Sequence, residues 1–332
     1  AADFGGDPAV ARFWPRVPAA TPDASTVVFS LHEPFAAFPN YAALPLVPRH
    51  LLGGVLARDL GRHPFSSAPI GTGPFRFDHT DPESGDIVLQ PFEQFYGGRP
   101  YLDSFVFRYY DDPDSLLQAL TDQDIDGSGA LSPARALGEG AAGDERAIYS
   151  PTIEGFTALF FNTRDPLFTS ADVRRAIGLL LNREQLVQRA LEQQAVPGAS
   201  PIPSASWAYV EQPVSVDVQQ ATELLAKAGW SDSDGDGVLE AGGTRFAFPL
   251  LVNADDPQRA AAAAEVAAQL QSAGIQATVQ PLSTADVSQA LATRQYTAAV
   301  FGWHAATGDP DCFQLWHSSG ADSGLNFTGL RD

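Results

Sequence analysis

Apolar and polar positions alternate in short runs through the first half of the chain and gather into longer helical stripes in the second. Residues 26–31, TVVFSL, read as a strand, and the proline-broken stretch behind them predicts a helix starting near Pro48. FRFDH and DIVLQPF alternate and are joined by a turn over residues 81–85, which predicts a hairpin. SFVFRYY is a third β-rich run, and Asp112 followed by Pro113 supplies an N-cap and a first-turn proline for the helix DSLLQALTDQ. Residues 127–145 are rich in Gly, Ala and Ser and predict loop with a short helix, after which FTALFFNT begins a new strand.

From Ser170 the period changes to that of a helix, with Val173, Ala176, Ile177, Leu180 and Leu181 on one stripe. Thr169 with Asp172, and Asn182 with Gln185, have the spacing of capping boxes and predict two successive helix starts. A proline-punctuated loop, VPGASPIPSASWAYV, leads to the helix VQQATELLAKAG, ended by Gly229. FAFPLLVN then reads as a strand, Asp256 and Pro257 open an alanine-rich helix to Ala273, Gly274 closes it, and IQATVQPL is a strand again. A helix over about residues 285–294 and the strand YTAAVFGW complete a βαβαβ unit, which predicts parallel strands joined by right-handed crossovers. Ligands in such sheets bind outside the carboxyl ends of the strands, which points to Asn253 through Asp256 and to Trp303 and His304.

The 332 residues are enough for two lobes with a cleft between them. Forty acidic against twenty basic residues give a net charge of −20, which argues against nucleic acid and anionic membranes as partners. The single cysteine, Cys312, excludes an internal disulfide and has no metal-ligand spacing around it. No run approaches the about 18 apolar residues that span a bilayer, and AADFGGDPAV is not a signal peptide. With no methionine anywhere and GLNFTGLRD at the other end, the chain reads as a piece of a longer one.

SDSDGDGVLEAGG, residues 231–243, has calcium-loop spacing: Asp232, Asp234 and Asp236 at alternate positions, Gly237 next, Val238 to offer a carbonyl, and Glu240 at the ninth position. The twelfth position, where a bidentate glutamate belongs, is Gly243, so this reads as a turn of small polar residues or a weak calcium site. Calcium is the one cofactor the sequence suggests, and none is required. Trp303 can floor a ligand pocket or cap the core; His304 as a base would need a nucleophile or carboxylate partner that the sequence does not identify. HExxH, GxSxG, phosphate-loop and GxGxxG signatures are all missing, and GTGPF at 71–75 precedes a strand rather than a helix. An enzyme is therefore not expected, and a carboxylate-based hydrolase has no support beyond the abundance of carboxylates.

PIGTGPFRF, followed by QPFEQFYGGRPYLDSFVFRYYDDPDSLLQALTDQDID, resembles the ABC-transporter extracellular solute-binding proteins of the dipeptide, oligopeptide and nickel type, family 5. FFNTRDPLFTSADVRRAIGLLLNREQLV is similar too, with Asn162, Thr163, Val173, Arg174, Arg175, Ala176 and Arg183 on recurring positions, and PIPSASWAY, AGWSDSDGDGVLE and GWHAATGDPDCF follow in the family's order. The resemblance implies an α/β, two-lobed periplasmic-binding-protein type II fold with an extra subdomain, incomplete at both ends. Residues 1–67 would be part of the extra subdomain, 68–152 part of the first lobe and 153–332 the second.

The implied function is that of an importer's receptor, periplasmic or extracellular and lipid-anchored in its full-length parent, binding a small polar solute between its lobes and delivering it to the ABC permease membrane subunits. Trp303, His304, Asp309, Asn253 and Trp207 are the candidate ligand contacts; Asp232, Asp234, Asp236 and Glu240 are the candidate metal ligands. The resemblance also implies an aspartate between the tryptophan and GDPD that pairs with a peptide's amino terminus, but here Trp303 is followed by His304, Ala305, Ala306 and Thr307. A buried ammonium without a counter-charge is costly, which disfavours free dipeptides unless Asp309 or Asp311 substitutes. Longer peptides held through their backbones are the favoured solute, with sugars and chelated metals as the others. A calcium-stabilised interaction module is the alternative function.

Overall fold

Prolines and short apolar runs give the first part of the chain small antiparallel sheets. The computed structural model describes residues 13–36, 38–43, 46–129, 131, 147, 149, 155–202, 204, 206–212, 215–304 and 310–331, with only the backbone of residues 40, 57 and 304. The chain divides into two compact units, Ala1–Ile148 and Tyr149–Asp332. The predicted short helix within 127–145 falls largely outside the described residues.

In the first unit, β1 (Ala19–Ala20) pairs antiparallel with β2 (Val28–Phe29). The strand predicted over residues 26–31 is thus reduced to two residues: Phe29 packs its ring against Trp14 and Phe38 at 5.6 and 5.5 Å, while Val28 stays exposed and no further strand pairs with the run among the described residues. Two short helices follow, α1 (Phe38–Tyr41) and α2 (Arg49–Leu52), the second beginning at Pro48 as predicted. Phe13 sits against Phe35, Phe38 and Tyr41 with ring centroids 4.7–6.3 Å apart, so aromatic contact does here what the small sheet cannot.

The predicted hairpin is present: β3 (Phe75–Thr80) pairs with β4 (Ile87–Pro91), with an irregularity between Phe77 and His79. Asp81 holds the turn by accepting the N–H groups of Glu83 at 2.9 Å and Ser84 at 2.8 Å. β5 (Phe105–Phe107) adds a third antiparallel strand. Asp112 caps α3 (Pro113–Thr121) by accepting the N–H groups of Asp114 and Ser115, as its position before Pro113 predicts.

The second unit is built on a sheet of four strands. After β6 (Gly155–Phe161) come the helices α4 (Ala171–Leu180), α5 (Arg183–Ala190) and α6 (Val218–Lys227). The Asn182 side chain caps α5 through the N–H of Gln185, whereas Ser170 at the start of α4 makes no side-chain cap. The capping box expected from Thr169 and Asp172 does not form there, because the Thr169 hydroxyl donates back to the Pro166 carbonyl at 3.2 Å and Asp172 pairs with Lys227 at 2.8 Å. A minor hairpin, β7 (Glu240–Ala241) with β8 (Thr244–Arg245), precedes β9 (Ala247–Asn253), α7 (Pro257–Gln271), β10 (Gln276–Leu282), α8 (Thr284–Thr293) and β11 (Ala298–His304); α9 (Phe313–Trp316) follows.

The sheet order is β10-β9-β11-β6, with β9 parallel to both β10 and β11 and β6 antiparallel to β11. The βαβαβ unit therefore has the parallel strands its sequence predicts. Alternate residues feed two cores. Leu250, Val252, Ala298 and Val300 face Val173, Ile177 and Val266 of the helices α4 and α7, while Leu251, Ala299 and Phe301 face Val287 and Leu291 of α8. Gly229 and Gly274 take positive φ, 90° and 78°, at the ends of α6 and α7, where the sequence expects helix stops. No helix among the described residues is long and apolar enough to cross a membrane.

Candidate functional site

Because β9 lies between β10 and β11 while α7 and α8 cross on opposite faces, the sheet has a topological switch point at the carboxyl ends of β9 and β11. Asn253, the last residue of β9, is only 3% exposed there; its Nδ2 donates to Thr284 Oγ1 at 3.4 Å, and its Oδ1 has no hydrogen-bond partner among the described residues. Asp255 accepts the backbone N–H of Thr284 at 2.8 Å. That bond and the Thr284 hydroxyl hold the Asp255 carboxyl below the usual carboxylate range.

Asp256 caps α7 by accepting the N–H of Arg259 and also pairs with its guanidinium, Nε to Oδ2 at 3.2 Å. The same guanidinium lies 5.3 Å over the Phe301 ring and donates to the Gly302 carbonyl at 3.4 Å. Arg259 thereby ties the first turn of α7 to the end of β11.

An aromatic wall rises on the α8 face of these strand ends. Trp303, half-buried like Phe156, has that ring and the buried Phe160, Phe301 and Phe327 of the α8-side core around it at 5.4–5.7 Å between centroids, so the wall's accessible edge is formed by Trp303, Phe156 and Trp316. Trp316 of α9 extends the wall by lying parallel to Phe160, 5.8 Å away with 5° between planes. Trp303 and Phe156 are register partners on β11 and β6. The two strands approach so closely beside them that a Cβ on Gly302 would sit 2.0 Å from the Phe156 carbonyl oxygen.

Phe327 and Trp316 come from a segment of little regular structure, and three buried side chains with polar groups hold it. Asn326 donates through Nδ2 to the carbonyls of Trp316, His317 and Leu330 at 3.0–3.3 Å. Arg294, directly after α8, donates to the carbonyls of Ala321, Gly320, Gly324 and Asn326 at 2.8–3.2 Å, and its guanidinium lies 5.4 Å over the Phe327 ring. Tyr296 donates its hydroxyl to the Phe327 carbonyl at 2.9 Å, and burial pushes that phenol well above its ordinary pKa.

The acidic loop lies elsewhere in the unit, between α6 and β9. One ligand atom from each of Asp232, Asp234, Asp236 and Glu240 falls within 4.8 Å of the others, a separation that a calcium ion could bridge. The loop also satisfies itself: Asp232 accepts the N–H groups of Gly235 and Gly237, and Glu240 accepts that of Ser233. Arg245 donates to Asp236 at 2.5 Å, which with the Val238 N–H keeps the Asp236 carboxyl below its usual range.

Of the ligand contacts expected from the sequence, Trp303 and Asn253 fall on adjacent strand ends and on the same face of the sheet. The backbone of His304 pairs with Gly155, while its side chain and all of Asp309 lie outside the described residues. Trp207 stands 84% exposed in the loop before α6 and joins none of the ring pairs of the wall. Sequence reasoning missed Phe156, Phe160, Trp316, Phe327, Arg259 and Arg294. The two phenylalanines of β6 carried a usable signal, since they share a face with alternate spacing; the others reach the site from distant segments.

Residues 2–324 match the family model of bacterial extracellular solute-binding proteins, family 5 Middle. The chain is 29% identical over 318 residues to the oligopeptide-binding protein AppA of Bacillus subtilis, covering 92% of this chain and 57% of that protein. It is 28% identical over 307 residues to protein XP55 of Streptomyces lividans, covering 91% of this chain and 54% of that one. The chain thus spans little more than half the length of these relatives. Among solved structures, that of Bacillus subtilis AppA in complex with a nonapeptide superposes with a TM-score of 0.75 at 26% identity, over all of this chain and 67% of the other. An oligopeptide-binding protein of Thermotoga maritima shares the fold at 15% identity with a TM-score of 0.82, covering 97% of this chain and 65% of that one.

Proposed function

Because this chain belongs to the bacterial extracellular solute-binding proteins of family 5, we propose that it is the solute-recognising part of an ABC importer's receptor and that its solute is an oligopeptide. The observation that carries this reading is the aromatic wall around Trp303 at the carboxyl ends of β9 and β11. Stacked indole and phenyl rings give a rigid apolar surface for side chains of varied shape, and polar groups at the rim of such a surface orient a backbone. The oligopeptide-binding relative and its nonapeptide complex support the same solute class. The chain works outside the cytoplasmic membrane, hands its solute to permease subunits, and performs no chemistry on it.

Calorimetric titration with a nonapeptide, with free dipeptides and with an oligosaccharide tests the reading. Binding of the nonapeptide with a negative heat-capacity change supports it. Saturable binding of the oligosaccharide alone would replace the solute class, and tight binding of free dipeptides would contradict the argument from the acid-free stretch after Trp303.

A second reading concerns the acidic loop, favoured by the closeness of its four carboxylates. There, calcium acts as a structural ion that braces the turn between α6 and the β7–β8 hairpin, apart from solute recognition.

A further inference from the structure

Arg294 occupies a position that glycine ordinarily fills. It follows the last turn of α8 with φ 62° and ψ 24°, a left-handed conformation that side chains disfavour. An arginine stands there all the same, 9% exposed. Its guanidinium makes six hydrogen bonds, all to backbone carbonyls. Two, to Leu291 and Ala292, satisfy the open end of α8 at 2.8 Å. Four reach across to Gly320, Ala321, Gly324 and Asn326.

Only a guanidinium joins these two sets, because its five N–H donors form a planar fork, whereas a lysine presents three donors from one point. The segment it gathers carries both of the wall's non-local rings. Phe327 lies under the guanidinium itself, and Trp316 is tied through the Asn326 side chain.

We propose that Arg294 is the positioning residue of the aromatic wall: it fixes the segment bearing Trp316 and Phe327 to the end of α8, so that the wall stands preformed before solute arrives. Preformation lowers the ordering cost of binding. The inference rests on the solute reading above for its functional consequence, and the test therefore reads the wall and the solute separately.

The chain has five tryptophans, so 5-fluorotryptophan labelling gives five fluorine resonances, assigned by single Trp→Phe changes. Trp303 and Trp316 report the wall, while Trp230, stacked on Phe246 at 4.3 Å in the opposite core, reports the fold. Arg294→Gly removes the guanidinium and relieves the left-handed backbone; Arg294→Lys keeps the charge without the fork. In both variants the Trp303 and Trp316 resonances are expected to move and broaden while that of Trp230 stays. The affinity for the nonapeptide is expected to fall about tenfold, the scale of losing one well-packed contact. Wall resonances unmoved in both variants, Trp230 moving along with them in both, or a displaced wall that binds the nonapeptide as tightly as before would each overturn the proposal. Should the unaltered chain bind no nonapeptide while the wall still moves, the positioning role stands and the solute reading falls.

Discussion

Phe327 stacks on Trp303 with ring centroids 5.4 Å apart and planes 25° from parallel. A residue near the end of the sequence thus backs the indole that closes β11. Trp303→Ala removes this stack together with the contacts to Phe156, Phe160 and Phe301. For a half-buried ring the stability cost is about 2 kcal/mol, below the range for full burial. Nonapeptide affinity is expected to fall about tenfold or more with an unchanged far-ultraviolet circular dichroism spectrum. A lowered melting temperature at unchanged affinity would mean that the indole only packs.

Calcium is expected to raise the melting temperature, and EDTA to reverse the effect, since an ion that binds only the folded loop adds about 2.7 kcal/mol at one hundred times its dissociation constant. Glu240→Gln should abolish the shift. Arg245→Ala should enlarge it, because the guanidinium now holds the Asp236 oxygen that the ion would take. A melting temperature indifferent to calcium in all three proteins would leave the loop a self-satisfied turn.

In the first unit, Arg108 donates through both Nε and Nη2 to Asp86 Oδ2, at 2.9 and 2.7 Å, and this bond holds the Asp86 carboxyl below 3.8. A carboxyl depressed in the folded state stabilises the fold above its unfolded pKa, and that contribution disappears as pH falls through the folded value. Asp86→Asn is therefore expected to lower the melting temperature at pH 7 and to flatten its decline below about pH 4. Parallel melting curves for the two proteins between pH 7 and pH 2 would remove this pair from the acid response.

Leu180→Asp carries a carboxylate into the core shared by Val173, Ala176 and Ile177. Burying a carboxylate there is expected to cost several kcal/mol and to unfold the second unit. The test is loss of the Trp230 fluorescence environment, with the hairpin resonances of the first unit retained. A cooperative melt at the original temperature would refute the packing assigned to α4.

The second unit was the more legible half because its helices announce their own ends. Asp256 with Pro257, Asn182, and the glycines at 229 and 274 are local signals, and each acts where the sequence says it should. Thr169 and Asp172 carried the same kind of signal, but Pro166 and Lys227 claimed their side chains first. The run at 26–31 has strand composition yet pairs over two residues, since strand propensity expresses packing context and the ring of Phe29 packs there on Trp14 and Phe38 rather than on a sheet neighbour. Trp303 and Asn253 could be read from topology, as both end neighbouring strands. The rings of Trp316 and Phe327 could not, because their place depends on hydrogen bonds from a side chain at the end of α8 to carbonyls of a loop without period.

Gly302 sits between Phe301 and Trp303 where β11 meets β6, with no room for a single methyl group against the Phe156 carbonyl. The strand's spacing is therefore set by main chain against main chain. The rings of Phe156 and Trp303 are carried on a backbone whose depth no side chain between the strands sets. Under the proposed solute reading, the freedom to diversify resides in the partly exposed Phe156, Trp303 and Trp316, and the constraint that keeps their exchange from disturbing the sheet resides in Gly302, which has no side chain.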